Sequence, residues 1–170
     1  NRALAALPVD ARPVVRSQVQ DLVACAGWEL LMPPVALLGR LREPGDRDAL
    51  RDWLIEQAPR VDGFVLSLDM LVYGGLVPSR FIEASLSSLR ERLALLHDLR
   101  HRWSEKPIFA FAATMRISNN DVAEEEKAYW SSFGSMLWAW SFHTDRALNS
   151  GVSEEVAVSR EEAGRLERQI

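Results

Sequence analysis

The chain has 170 residues, 48% of them hydrophobic and 26% charged, with a formal net charge of -4. That balance excludes the disordered and collagen-like classes, and the mild acidic excess argues against a nucleic-acid binder, which carries a basic face or stripe. The single cysteine, Cys25, permits no internal disulfide, and no apolar run reaches the roughly 18 residues of a membrane helix.

The first unit opens on Ala3-Leu4-Ala5-Ala6-Leu7-Pro8-Val9. A continuous apolar run of this length fits a strand buried on both faces. Asp10-Ala11-Arg12 follows, and Pro13 suits a first helical position. Val15, Val19, Leu22, Val23 and Ala26 recur at helical spacing and predict a core-facing stripe, with Cys25 buried beside it. Gly27 stops that helix.

The second unit is a short strand, Glu29-Leu30-Leu31-Met32, ended by Pro33-Pro34. The turn Glu43-Pro44-Gly45 precedes Asp46, which can cap a helix carrying Leu50, Trp53 and Leu54. The third unit is the clearest. Gly63-Phe64-Val65-Leu66-Ser67-Leu68 reads as a central strand running into Asp69-Met70-Leu71-Val72-Tyr73-Gly74-Gly75. A helix with Leu86, Leu89, Leu93, Leu96, Leu99 and Trp103 on one face comes next.

The fourth unit is a strand over Pro107–Ala113, then the polar stretch Arg116-Ile117-Ser118-Asn119-Asn120. A long helix is predicted from about Val122, capped by Asn120 or Asp121, with Glu124, Glu125 and Glu126 in its first turns, where the helix dipole favours negative charge. Tyr129, Phe133, Met136, Leu137, Trp140 and Leu148 form its expected core stripe, with Trp130, Trp138 and Phe142 outside it. Ser150-Gly151 ends it, and a further helical segment is expected to start at Val152-Ser153.

Strands alternating with helices predict a parallel sheet built by right-handed crossovers. The expected fold is an α/β open sheet of about four strands with helices on both faces, Rossmann-like; half of a (β/α)8-type barrel is the alternative. The expected domain covers residues 1–150, with the further helical segment over 151–170. The chain starts almost on its first strand, without Met, and stops in a helical pattern, so it is expected to be the front part of a longer protein. Its expected location is the cytoplasm.

In parallel α/β sheets, ligands bind beyond the carboxyl ends of the strands. Four strand-end groups stand out: Asp10 and Arg12; Ser67 and Asp69; Tyr73 and Arg80; and Arg116 with Asn119 and Asn120. Such a mixture suits a polyhydroxylated or anionic small molecule, since Arg grips a carboxylate or phosphate with two parallel bonds. Asp69 and Asp10 are the candidate acid/base pair, with Arg12, Ser67, Tyr73, Arg80, Arg116 and Asn119 binding substrate. The same two carboxylates could hold a divalent metal, the less favoured reading; no other cofactor is indicated. Each residue also has a structural reading. Asp10 can pair with Arg12 or cap a helix, Asp69 can bond amides of its own loop, Arg80 can be a plain salt bridge, and Gly74-Gly75 can be a tight turn.

There is no GxGxxG after the first strand, no GxxxxGK[ST] and no GxSxG. His97 and His101 lie mid-helix without a third ligand, so a solvated face is expected. No histidine sits at a strand end to complete a Ser-His-Asp triad.

Leu7-Pro8-Val9-Asp10-Ala11-Arg12-Pro13-Val14, the block from Leu66 to Arg80, Met115-Arg116, and Glu125-Glu126-Lys127-Ala128-Tyr129-Trp130 with Phe133-Gly134 resemble a bacterial family known as a domain of unknown function, numbered 4127. The resemblance runs from about Ala3 to Gly134 and more weakly beyond. It implies a longer protein whose remaining part adds another acidic strand-end motif. The long helix is apolar nearly all round, and further parts of the same chain are expected to pack on it. It also implies a second acidic residue after Asp10, where this chain has Ala11. The leading expectation is a hydrolase-like enzyme on a carbohydrate-like or anionic small molecule; a non-catalytic binding or partner-docking module is the alternative.

Overall fold

The computed structural model describes residues 2–151 and 154–169. The chain divides into two compact units, one running up to Thr114 and the other starting at Met115. The first unit contains the sheet. Its strands are β1 (Arg2–Leu7), β2 (Trp28–Leu31), β3 (Gly63–Ser67) and β4 (Ile108–Phe111). They form one parallel sheet in the order β2-β1-β3-β4. The α/β reading with a four-stranded parallel sheet is therefore correct.

A 3-10 turn at Pro13–Val15 leads into α1 (Ser17–Cys25); α2 (Arg47–Gln57) follows β2. After β3 come α3 (Leu68–Tyr73), α4 (Pro78–Phe81) and α5 (Leu86–Arg102). From β1 the chain moves one way along the sheet to β2, then the other way to β3 and β4. Right-handed crossovers consequently put α1 on one face and α2 and α5 on the other. The core confirms the second layer. Ala5, Leu7, Phe64 and Leu66 of the sheet pack in one cluster with Leu50 and Leu54 of α2, Met70 and Leu71 of α3, and Leu95 and Leu99 of α5. Asp46 caps α2 as predicted, accepting the Ala49 N–H at 3.0 Å.

The α1 stripe differs from expectation. None of its residues is buried, Leu22 is 71% exposed, and Cys25 is exposed as well. The reason is position: α1 packs along β2, an edge strand, and so keeps its outer residues in solvent. β4, the other edge, behaves similarly, with Phe109 63% exposed. On α5 the buried pair is Leu95 and Leu99, while Leu86 and Leu93 are exposed. His97 and His101 lie on the solvated face, as expected.

The second unit consists of α6 (Trp130–Asn149) and α7 (Glu154–Glu167) with the segment leading into them. The expected opening of the last helix at Val152-Ser153 lies outside the described residues. The long helix begins at Trp130 and not near Val122. Polar side chains explain the delay. Asn120 Oδ1 accepts the Val122 N–H at 3.0 Å, and the Asp121 carboxylate accepts both the N–H and the hydroxyl of Ser135 at 2.7 Å. These bonds fold residues 120–129 back along the first turns of α6. The buried indole is accordingly Trp130, whose Nε1 donates to the Asn120 carbonyl at 2.8 Å, while Tyr129, Phe133 and Leu148 are exposed. Gly134 makes room for that ring: a Cβ there would sit 2.6 Å from the Asn120 carbonyl oxygen.

Candidate functional site

β1 and β3 are neighbours whose connections leave in opposite directions, which makes their carboxyl ends the topological switch point, where open α/β sheets bind ligands. The predicted residues Asp10, Arg12, Ser67 and Asp69 lie there.

β3 passes into α3 without a loop. Ser67 is the hinge: fully buried, it accepts the Met70 N–H at 3.2 Å and so caps α3. Its hydroxyl is engaged in holding the helix start. Asp69 sits in the first turn of α3, where the helix dipole favours an acid. It is only 4% exposed. Its Oδ2 accepts the Ala113 N–H at 2.9 Å. The partner is thus the segment leaving β4, not an amide of its own loop as the structural reading of this residue had it.

Gly74 ends α3 in the left-handed region, at φ 81°, and Gly75 follows at φ 138°. The space around Gly74 is as restrictive as its angle. Its carbonyl accepts the Gly45 N–H at 2.8 Å, and a Cβ on Gly74 would lie 2.8 Å from that same nitrogen. Leu76 N–H then donates to the Val9 carbonyl at 3.1 Å. The segment from Asp69 to Leu76 therefore ties three neighbours together: the β1 exit through Val9, the β2 connection through Gly45, and the β4 exit through Ala113. Val9, Gly45 and Ala113 each contribute only a backbone group here, a role that no side-chain pattern in the sequence signals.

Asp10 uses both carboxylate oxygens on Arg12. Oδ1 accepts the Arg12 N–H at 2.9 Å, and Oδ2 meets Nε at 2.8 Å and Nη2 at 2.7 Å. This is the pairing foreseen as its structural role. Arg12 remains 63% exposed along its side chain. A metal held by Asp10 and Asp69 would have to compete with that bidentate pair. Among the described residues there is also no group of three or more His, Cys, Asp or Glu side chains able to hold an ion. Ala11, where the resemblance implies an acid, packs against the core.

Tyr73 ends α3 and is half-buried against the core, and Arg80 is half-buried on α4. Arg116 and Asn119 are exposed in the second unit. Two cavities of the first unit lie away from the switch point. One of about 720 Å³ runs along the outer edge of β2 beside Trp28 and Trp53, and one of about 400 Å³ lies between α2 and α5. No helix among the described residues is long and apolar enough to cross a membrane.

Fold and site together define an α/β protein with an open parallel sheet and a buried acid at its switch point. The profile of the family described as "Protein of unknown function (DUF4127)" matches residues 4–170, and the chain belongs to that family. Searches among curated proteins and among solved structures returned no match.

Proposed function

We propose that the chain is a hydrolase-like enzyme acting on a carbohydrate-like or anionic polar small molecule at the carboxyl ends of β1 and β3. Asp69 is the acid/base group, and Arg12, Tyr73 and Arg80 orient the substrate. The observation that carries this reading is Asp69 itself. Acidic side chains are almost never buried unless paired. Here the carboxylate is 4% exposed, and the hydrogen bond it accepts comes from a neutral amide. Its place at the switch point of an open sheet is where such chemistry is usually sited. In this reading the protein works in the cytoplasm of a bacterial cell. In the same reading, a further part of the polypeptide packs on the exposed aromatic side chains of α6, Phe133 and Phe142 among them.

One observation favours a second reading, binding without turnover. Both oxygens of Asp10 are engaged by Arg12, which leaves Asp69 without a free acidic partner from β1. A thermal-shift screen of the chain and its Asp69→Asn variant separates the two. The panel holds sugars, amino sugars, sugar phosphates, nucleotides and divalent metals, because a ligand of the folded state raises the melting point by mass action. Each hit is then assayed for turnover. Turnover that disappears in Asp69→Asn while binding persists supports the enzyme, and binding without turnover in either protein supports the second reading. No shift with any compound would overturn both.

A further inference from the structure

The cleft between α2 and α5 is floored by Leu71 and Leu95 and encloses about 400 Å³, within the range of small-molecule sites. Three guanidiniums border it from two helices: Arg47 and Arg51 on α2, and Arg92 on α5. Ser88 adds a hydroxyl. Arg92 Nε is buried and has no hydrogen-bond partner among the described residues. A buried donor in that state carries an uncompensated desolvation cost until an acceptor reaches it. Arg47 is held below the ordinary arginine range, first by burial and then by the like charge of Arg92.

Three carboxylates, Asp48, Glu91 and Asp98, share the cleft with the arginines, and one of them, Asp48, is bonded to Arg92. Asp48 reaches Arg92 at 3.3 Å and Arg51 at 3.8 Å, but its side chain is 67% exposed, so its attraction is screened by solvent. Arg51 is paired besides with Asp52, whose Oδ1 accepts its Nε at 3.0 Å and its Nη2 at 2.9 Å. Glu91 and Asp98 border the cleft without an ion pair to Arg47 or Arg92 among the described residues.

We propose that this cleft binds a small molecule through its phosphoryl group, gripped by Arg47 and Arg92 across the two helices with Ser88 as a further donor. A phosphoryl group offers three oxygens and close to two negative charges, which matches forked donors arriving from two directions. A carboxylate has only two oxygens. The volume exceeds that of phosphate alone, so the ligand's organic part lies over Leu71 and Leu95. The site is separate from the strand-end reading and does not depend on it, but it touches the same segment. Arg47 Nη1 donates to the Val72 carbonyl at 3.2 Å, at the end of the helix whose first turn holds Asp69.

The test is a calorimetric titration of the chain with inorganic phosphate, at ionic strength held constant with chloride. Saturable binding is expected, weakened at least about tenfold by Arg92→Gln or Arg47→Gln, as loss of one partner of a hydrogen-bonded charge pair predicts, and unchanged by Arg60→Gln, at an exposed arginine outside the cleft. Arg92→Gln also breaks the bridge to Asp48 and so loosens α5 from α2. Asp48→Asn breaks the same bridge but removes the competing carboxylate, and must tighten phosphate binding. The proposal is overturned by absence of saturation, by affinity that ignores both arginine variants, by weaker binding in Asp48→Asn, or by acetate competing as well as phosphate.

Discussion

The Asp69 carboxylate receives the Ala113 N–H at 2.9 Å across 44 residues of chain, so the buried acid at the end of β3 also pins the exit of β4. Structural and chemical roles therefore meet in one side chain, and two substitutions separate them. Asp69→Asn keeps an oxygen that can accept the same N–H, and stability should fall by less than about 1 kcal/mol, the net value of an ordinary hydrogen bond. Asp69→Ala leaves that N–H without its partner and should cost about 1–3 kcal/mol. Urea unfolding of the two variants measures the difference. If the asparagine variant is folded and binds ligand but turns nothing over, the acid is needed for the reaction and not for the fold. Equal destabilisation by both substitutions would mean that the negative charge itself holds the structure.

Gly74 sets up a second contrast. Its φ of 81° is a left-handed conformation, and a Cβ there would meet Gly45 nitrogen at 2.8 Å and Pro44 Cβ at 2.9 Å. Gly27 has nearly the same angle, φ 76°, but nothing within 4 Å of its Cβ position. Gly27→Ala should then cost about 1–2 kcal/mol, the left-handed penalty of an ordinary residue. Gly74→Ala adds a backbone clash that no side-chain rotation relieves, and should cost clearly more than Gly27→Ala. Both are read as midpoints of urea unfolding. Similar values at the two sites would show that the crossing of the 39–45 and 74–76 segments is soft.

How much of this could be read from the sequence depends on whether a feature is local. The strand at Gly63–Ser67, the Asp46 cap and the polar strand ends follow from short-range pattern. Which strand lies at an edge does not. The apolar runs of β1 and β4 look alike in sequence, yet β1 sits between two strands while β4 has Phe109 and Phe111 in solvent. The same blindness placed Cys25 in the core. The start of α6 was missed for a related reason. Asp121 is a good cap by its identity, but it spends its carboxylate on Ser135, fourteen residues away. Gly74-Gly75 was noticed for its conformational freedom, whereas its packing against Gly45 is a tertiary fact.

That Asp121 contact predicts a pH dependence within the second unit. The N–H of Ser135, then its hydroxyl, holds the Asp121 carboxyl below the ordinary carboxylate range. A group whose folded value is depressed lends stability above its unfolded value, and loses it as pH falls through the folded value. The unfolded value of an aspartate is about 3.9, so the loss falls below about pH 4. Asp121 is solvent-exposed, and the effect should be modest and reduced by salt. The helical signal in circular dichroism, followed from neutral to acid pH, should be higher in the parent chain than in Asp121→Asn at neutral pH. The gap should close as the parent is acidified. A gap that stays constant would mean that hydrogen bonding alone, without charge, supports the start of α6.

Cys25 is where sequence and structure disagree most plainly. Small apolar neighbours, Ala24 and Ala26, suggested a buried thiol, but α1 turns that stretch outward. Thiol reagents attack where the sulfur is accessible. A disulfide reagent added to the native chain should therefore modify one thiol, at a rate close to that of the urea-unfolded chain. Cys25→Ser should be nearly neutral for stability, since surface substitutions away from special features usually stay within about 0.5 kcal/mol. Slow native labelling that speeds up only on unfolding would instead show α1 covered in solution. Its outer face would then be an interface between copies of the chain, and labelling should slow further as protein concentration rises. A native rate close to that of the unfolded chain, and independent of concentration, would leave α1 solvated, as its position beside the edge strand β2 dictates.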